Sequence, residues 1–161
     1  MHFTHTLNIF INNDSKILIL GSFPSVKSRE AGFYYGHKRN RFFLTLSKIF
    51  NEDEPITIED RKDFLYRHKI ALYDVVESCS IKGSSDSSIK DVVPFDIEST
   101  LKRYPSIKKI GITGRKAGFL FDKYLKDKVG DIEVIYLPST SPANAKCKLD
   151  TLVKEYSSLF D

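Results

Sequence analysis

Four consecutive aliphatic residues, Ile17-Leu18-Ile19-Leu20, end in a glycine and give way to a stretch of entirely different character. A run this short and this uniformly apolar reads as a strand buried on both faces, as in the middle of a parallel sheet. Such a strand needs helices above and below it, which narrows the fold classes open to the chain. Gly21 at its end lets the backbone come close to a ligand, and the Pro24 ring stiffens the turn behind it. The segment from Gly21 to Asn40 then holds three glycines, the adjacent Tyr34 and Tyr35, His37 and several cations. Packing alone does not ask for that mixture, and long loops rich in polar and stacking groups are usually functional.

The remaining elements fit the same plan. Residues 3–16 are ambiguous, with a turn marked by Asn12-Asn13-Asp14. Phe42, Phe43, Leu46, Ile49 and Phe50 follow helical spacing up to Asn51, and a second helix is expected over Ile58–His68. Ile70–Tyr73 with Val75-Val76 reads as one strand broken by Asp74, followed by the polar loop Ser84–Ser88. A helix over Phe95–Tyr104, a strand over Ile107–Thr113, an amphipathic segment over Arg115–Lys128, a strand over Ile132–Leu137 and a closing helix complete the chain. Alternating strands and helices predict a single α/β domain over residues 1–161, a three-layer α/β/α sandwich around a mostly parallel sheet of about four strands. Ligands bind such sheets beyond the carboxyl ends of the strands. Four unusual loops fall there: Gly21–Asn40, Asp74–Ser88, Gly114–Arg115 and Pro138–Asn144.

Composition excludes several classes. No apolar run reaches membrane-spanning length and the first residues do not read as a signal peptide, so an intracellular, cytoplasmic protein is expected (nucleoid-associated, or nuclear in a eukaryote). Cys79 and Cys147 stand alone, too few for a zinc site or an iron–sulfur cluster, and no metal or other cofactor is expected. The net charge of +4 is unevenly spread. Lys27, Arg29, Lys38, Arg39, Arg41 and Lys48 face only Glu30 in their segment, whereas Asn51–Asp63 holds six acids against Arg61 and Lys62. A basic field on the glycine-rich loop suits a polyanion such as nucleic acid, although a charge run taken alone is more often a solvated face.

The chemistry of the loops leaves alternatives open. Asn40 suits the N-cap of the helix carrying Phe42 and Phe43, and equally a water-holding role. Tyr34 and Tyr35 are either half-buried aromatics or faces on which a base can stack. Ser139, Thr140 and Ser141, between two prolines, make a plain turn or a phosphate grip. Gly111, Gly114 and Gly118 match neither a Walker loop nor a dinucleotide fingerprint. Neither a nucleophile elbow nor a flanking pair of carboxylates is present, which weakens esterase-like and ordinary glycosidase readings.

Leu20-Gly21-Ser22-Phe23-Pro24-Ser25 resembles the first motif of the uracil-DNA glycosylase superfamily, a strand running into Gly-x-x-Pro-Gly, with Ser25 for the final glycine. Leu137-Pro138-Ser139-Thr140-Ser141-Pro142-Ala143-Asn144 resembles its His-Pro-Ser-Pro-type second motif, with Leu137 for histidine. Residues 34–43 are similar to the Tyr-Tyr-x-His-Pro-x-Asn-x-Phe-Trp stretch of the hypoxanthine-DNA (deoxyinosine) glycosylase branch, with Lys38 for proline and Phe43 for tryptophan. The resemblance implies a monofunctional hydrolase that releases a deaminated base, hypoxanthine before uracil, from damaged DNA in base excision repair; a monomer is expected, although the sequence itself does not fix the oligomeric state. It implies catalysis by Asn40 with His37, base binding by Phe23, Tyr35 and Asp86, and DNA binding by Ser25, Arg39, Ser139, Thr140 and Ser141. Phe23 stands where most branches place an acid or amide, and two cysteines exclude the iron–sulfur branches. The rival is a noncatalytic nucleic-acid or nucleotide-binding α/β module, which would share the basic loop and the aromatic faces.

Overall fold

The computed structural model describes residues 2–5, 7–23, 26–81 and 89–161. Its centre is a four-stranded, fully parallel sheet built from β2 (Ile17–Gly21), β3 (Ile70–Asp74), β6 (Lys109–Thr113) and β7 (Glu133–Leu137) in the order β3-β2-β6-β7. Every residue of β2 and β3 is buried, as strands covered on both faces require, and this includes the charged Asp74 at the end of β3. Helices α2 (Phe42–Phe50), α3 (Ile58–Arg67), α4 (Ile97–Arg103), α5 (Arg115–Tyr124) and α6 (Leu149–Ser157) flank the sheet. The α/β/α sandwich read from the sequence is the architecture observed.

Local chemistry sets the helix limits. Thr57 caps α3 by accepting from the Asp60 amide, and Asp96 caps α4 through the Ser99 amide. Asn51 ends α2 in the left-handed region (φ 55°), its N–H returning to carbonyls of the last turn. Phe42 and Phe43 are fully buried, and Phe42 meets Tyr156 of α6 edge-on at 6.4 Å. The Tyr156 hydroxyl donates to the Pro138 carbonyl at 2.6 Å, tying α6 to the loop beyond β7.

Three features depart from the sequence reading. The strand around Asp74 is not a single strand: β3 ends at Asp74, and Val76–Ile81 (β4) leaves for a second, antiparallel sheet. There β4 pairs with His2–Thr4 (β1) on one side and Ile89–Pro94 (β5) on the other. The Gly21–Asn40 segment also contains a short helix, α1 (Val26–Ala31). The amphipathic stretch after β6 stops being α-helical at Tyr124 and finishes as a 3-10 turn over Lys126–Lys128.

Candidate active site

The carboxyl ends of β2, β3 and β6 and the loop after β7 converge on a cavity of about 270 Å³ that includes Phe23, Tyr35, His37, Asn40, Asp74 and Thr140. That is smaller than the roughly 300–1,000 Å³ of pockets for drug-sized ligands and suits a single base. The expected residues Phe23, Tyr35, His37, Asn40, Ser139, Thr140 and Ser141 are therefore brought together around it. Ser25 and Asp86 lie outside the described residues.

Asn40 does not occupy the N-cap position of α2, which falls to Arg41, although its side chain still serves the helix end. Its Oδ1 accepts from the Phe42 N–H at 2.9 Å and from the Thr140 hydroxyl at 2.8 Å. An N–H can only donate, so this contact fixes which end of the amide is oxygen. Both acceptor directions of Oδ1 are used, and the Nδ2H2 group is what the amide offers to the cavity. His37 is oriented by its own loop, its Nδ1 accepting from the Arg39 N–H at 3.0 Å, so Nε2 is the ring nitrogen that can donate. Tyr35 holds a left-handed backbone (φ 55°) and stacks on Phe42 at 3.8 Å with ring planes 8° apart. Burial pushes its phenol well above the usual range, and its hydroxyl pairs with Thr113 Oγ1 at 3.4 Å.

Several residues of these loops also make contacts within the scaffold. Thr140 is 2% exposed and spends its hydroxyl on Asn40. Tyr34 is buried, with its hydroxyl on the Asn8 carbonyl at 2.8 Å, which makes it a core aromatic. The Arg41 guanidinium reaches the Cys147 and Asn144 carbonyls at 2.5 and 3.1 Å, clamping the loop after β7 to the start of α2. Ser139 and Ser141 accept from amides two residues on, from Ser141 and Ala143 respectively, so they stiffen the turn while remaining partly exposed. Arg39 is exposed at the rim beside Lys38.

The sequence reading missed the residue at the cavity floor. Asp74 is 5% exposed, and burial raises its carboxyl above the usual carboxylate range, opposed by hydrogen bonds from His5 and from the Gly21 amide. His5 Nε2 lies 2.9 Å from Asp74 Oδ2, and His5 Nδ1 accepts from the Leu7 N–H at 3.2 Å. The only local signal for Asp74 was a charge interrupting an apolar run. Here also is the reason for Gly21: a Cβ at that position would come within 2.5 Å of Asp74 Oδ1. Gly21→Ala is accordingly expected to destabilise the protein by about 1–3 kcal/mol, read by denaturant unfolding, because a held and buried carboxyl cannot step aside freely.

A wider groove continues from the cavity past Ser139 to the start of α5, where Arg115, Lys116 and Lys146 supply cations. Gly114 joins β6 to α5 with a φ of 92°, a backbone conformation that favours glycine. A second groove between α2 and α3 sets Glu52, Asp53, Glu54, Asp60 and Asp63 against Lys48 and Arg67, a net acidic lining that disfavours a polyanion. No group of three or more His, Cys, Asp or Glu side chains among the described residues can hold a metal ion, and no described helix is long and apolar enough to cross a membrane.

A parallel sheet whose strand ends carry this small, aromatic-lined cavity beside a basic groove places the chain among α/β proteins with a base-sized site at the carboxyl edge of the sheet. Residues 9–158 match the uracil DNA glycosylase superfamily, and the chain belongs to that family. It is 35% identical over 109 residues to a hypoxanthine DNA glycosylase of Methanosarcina barkeri, covering 67% of this chain and 69% of that one. It is 32% identical over 137 residues to a hypoxanthine DNA glycosylase of Methanosarcina acetivorans, covering 84% and 85%. The solution NMR structure of a candidate uracil DNA glycosylase from Methanosarcina acetivorans superimposes with a TM-score of 0.82 at 28% identity over the whole of both chains.

Proposed function

We propose that this protein releases hypoxanthine from DNA by hydrolysing the N-glycosidic bond of deoxyinosine, with uracil as its second substrate. The observation that carries the reading is the convergence of Asn40, His37, Tyr35 and Asp74 on one base-sized cavity. Likeness to two hypoxanthine DNA glycosylases supports the same choice of base.

A target base inside a duplex is out of reach of such a cavity, so the nucleotide is flipped out, at a cost that is least for a mispaired base. Phosphates beside the flipped nucleotide meet Arg115, Lys116 and Lys146 along the groove, with Lys38 and Arg39 at the rim. Ser139 and Ser141 fix the register. In the cavity the base lies against the Tyr35 and Phe23 rings, and the Asp74 carboxylate accepts the N1–H of hypoxanthine or the N3–H of uracil. Adenine presents a lone pair at N1 where hypoxanthine presents a proton, so an acceptor there distinguishes the deaminated base from its parent.

The C1′–N bond breaks with its electron pair leaving on the base, and the sugar becomes cationic. The Nε2–H of His37 donates to the base as negative charge develops. The Asn40 amide holds a water by donating Nδ2–H to its oxygen, and that water's remaining lone pair forms the new C1′–O bond. The water's proton neutralises the base anion, leaving free hypoxanthine and an abasic sugar. The enzyme is read as a metal-independent monomer working beside the genome in the cytoplasm.

The test is a set of otherwise identical duplexes carrying deoxyinosine, uracil opposite guanine, or no lesion, assayed for abasic sites and free base. Release of hypoxanthine at the highest rate is the expected result. Uracil release without hypoxanthine would overturn the choice of base, and tight binding without release of any base would favour the noncatalytic module.

A further inference from the structure

Among the groups around the cavity, His5 has no part in the reaction just described, yet its position is specific. It comes from the amino-terminal segment, 69 positions before its partner Asp74. Its side chain is fully buried, stacks on Tyr73 at 4.3 Å and meets the Phe23 ring edge-on at 5.7 Å. Both ring nitrogens are used: Nδ1 accepts from the Leu7 N–H, and Nε2 faces Asp74 Oδ2 at 2.9 Å. An imidazole that accepts at Nδ1 must carry its proton on Nε2 and donate it to the carboxylate.

We propose that His5 is a positioning residue for base selection, its Nε2–H holding Asp74 in the orientation and ionised form that accept the N–H of a deaminated base. The inference rests on the base-reading role given to Asp74 above. A carboxylate accepts only, whereas a protonated carboxyl offers a donor to N1 of adenine and thereby forfeits discrimination. The groups facing Asp74 make His5 the side chain that can control this. Tyr34, Tyr35 and Tyr73 are buried phenols held in the neutral form and Glu77 is engaged by the Tyr73 hydroxyl, so none of them favours the carboxylate. Among the described residues the side-chain donor to the carboxyl is His5, and the Gly21 amide adds a backbone donor.

Two substitutions separate positioning from packing. His5→Phe keeps a flat ring against Tyr73 and removes the donor, whereas His5→Gln keeps an N–H near the place of Nε2. His5→Phe is expected to slow deoxyinosine excision by about 10- to 100-fold, the loss that accompanies removal of a hydrogen bond to a charged group. Losing a donor that favours the ionised form raises the Asp74 pKa further, so the acid limb of the pH–rate profile should move to higher pH. The ratio of deoxyinosine to deoxyadenosine cleavage should fall, and His5→Gln should restore both. Thermal unfolding and duplex binding, measured alongside, identify a variant that has merely lost its fold. Parental rate, pH profile and base ratio in a folded His5→Phe variant would overturn the proposal. If the parent protein prefers uracil, the same comparison is made on uracil, since its N3–H needs the same acceptor. If the parent cleaves nothing, 15N spectra of the imidazole decide: the Nε2–H tautomer with a proton shared toward Asp74 supports the positioning role, and the Nδ1–H tautomer refutes it.

Discussion

Single-turnover release of hypoxanthine should fall by about 10²–10³-fold when Asn40 is replaced by alanine, with duplex binding kept within a few-fold. That magnitude is what removal of one preset polar group acting in a transition state typically costs, about 2.7–4 kcal/mol. The geometry refines which atom is responsible. Oδ1 is occupied by the Phe42 N–H and the Thr140 hydroxyl, so losing it is a stability effect, roughly 0.5–2 kcal/mol for a helix-end asparagine. Turnover should follow Nδ2 instead. Asn40→Ser keeps an oxygen for the Phe42 amide and lacks the amide donor, so it should fold and bind normally while turning over as poorly as the alanine variant. Excision by Asn40→Ser within a few-fold of the parent would reduce Asn40 to a helix-end brace and move attention to His37.

The second large effect is expected at Asp74, with activity and stability moving in opposite directions. Asp74→Asn keeps the shape and an oxygen for the His5 N–H, but turns an amide toward the base where an acceptor stood. Removing one partner of a buried charged hydrogen bond costs about 2–5 kcal/mol, so deoxyinosine cleavage should drop on the order of 10²–10³-fold. Stability should rise at neutral pH. Burial lifts the folded-state pKa of Asp74 above its unfolded value. Its destabilising contribution is therefore absent below the unfolded pKa and grows as pH climbs through the folded one. Asparagine removes that contribution, and the gain should vanish when melting is repeated at acid pH. A variant that loses stability at neutral pH, or cleaves deoxyinosine at the parental rate, would contradict the assignment.

What the sequence made legible was whatever local pattern controls. The apolar run at Ile17–Leu20 could only be a covered strand, and the helical periodicity of Phe42–Phe50 could only face a core. Asn40, His37 and Tyr35 were visible because they crowd into one loop that packing does not explain. The residues that escaped do so for a tertiary reason. His5 reaches Asp74 across 69 residues, and nothing in its own neighbourhood marks it. Thr140 read as part of a plain turn or a phosphate grip because its partner Asn40 lies 100 positions earlier. Arg41 looked like one more cation of a basic loop, and only the fold shows that its charge is spent on backbone carbonyls. The second sheet was missed for a similar cause: a one-residue step after Asp74 redirects the chain, and periodicity does not register direction.

Arg41 also carries a consequence for how the protein is made. Its carbonyl partners, Asn144 and Cys147, and the Thr140 hydroxyl that orients Asn40 belong to the last quarter of the chain, and Tyr156 anchors their loop from behind. A nascent chain can fold β2, α2 and β3 as they leave the ribosome, but Asn40 has no finished surroundings until residues beyond 156 have emerged. Contacts this distant in sequence close late because the entropy of the intervening loop opposes them. The segment up to Asp74 thus carries Asn40 and its helix but none of the carboxyl-terminal contacts that brace them.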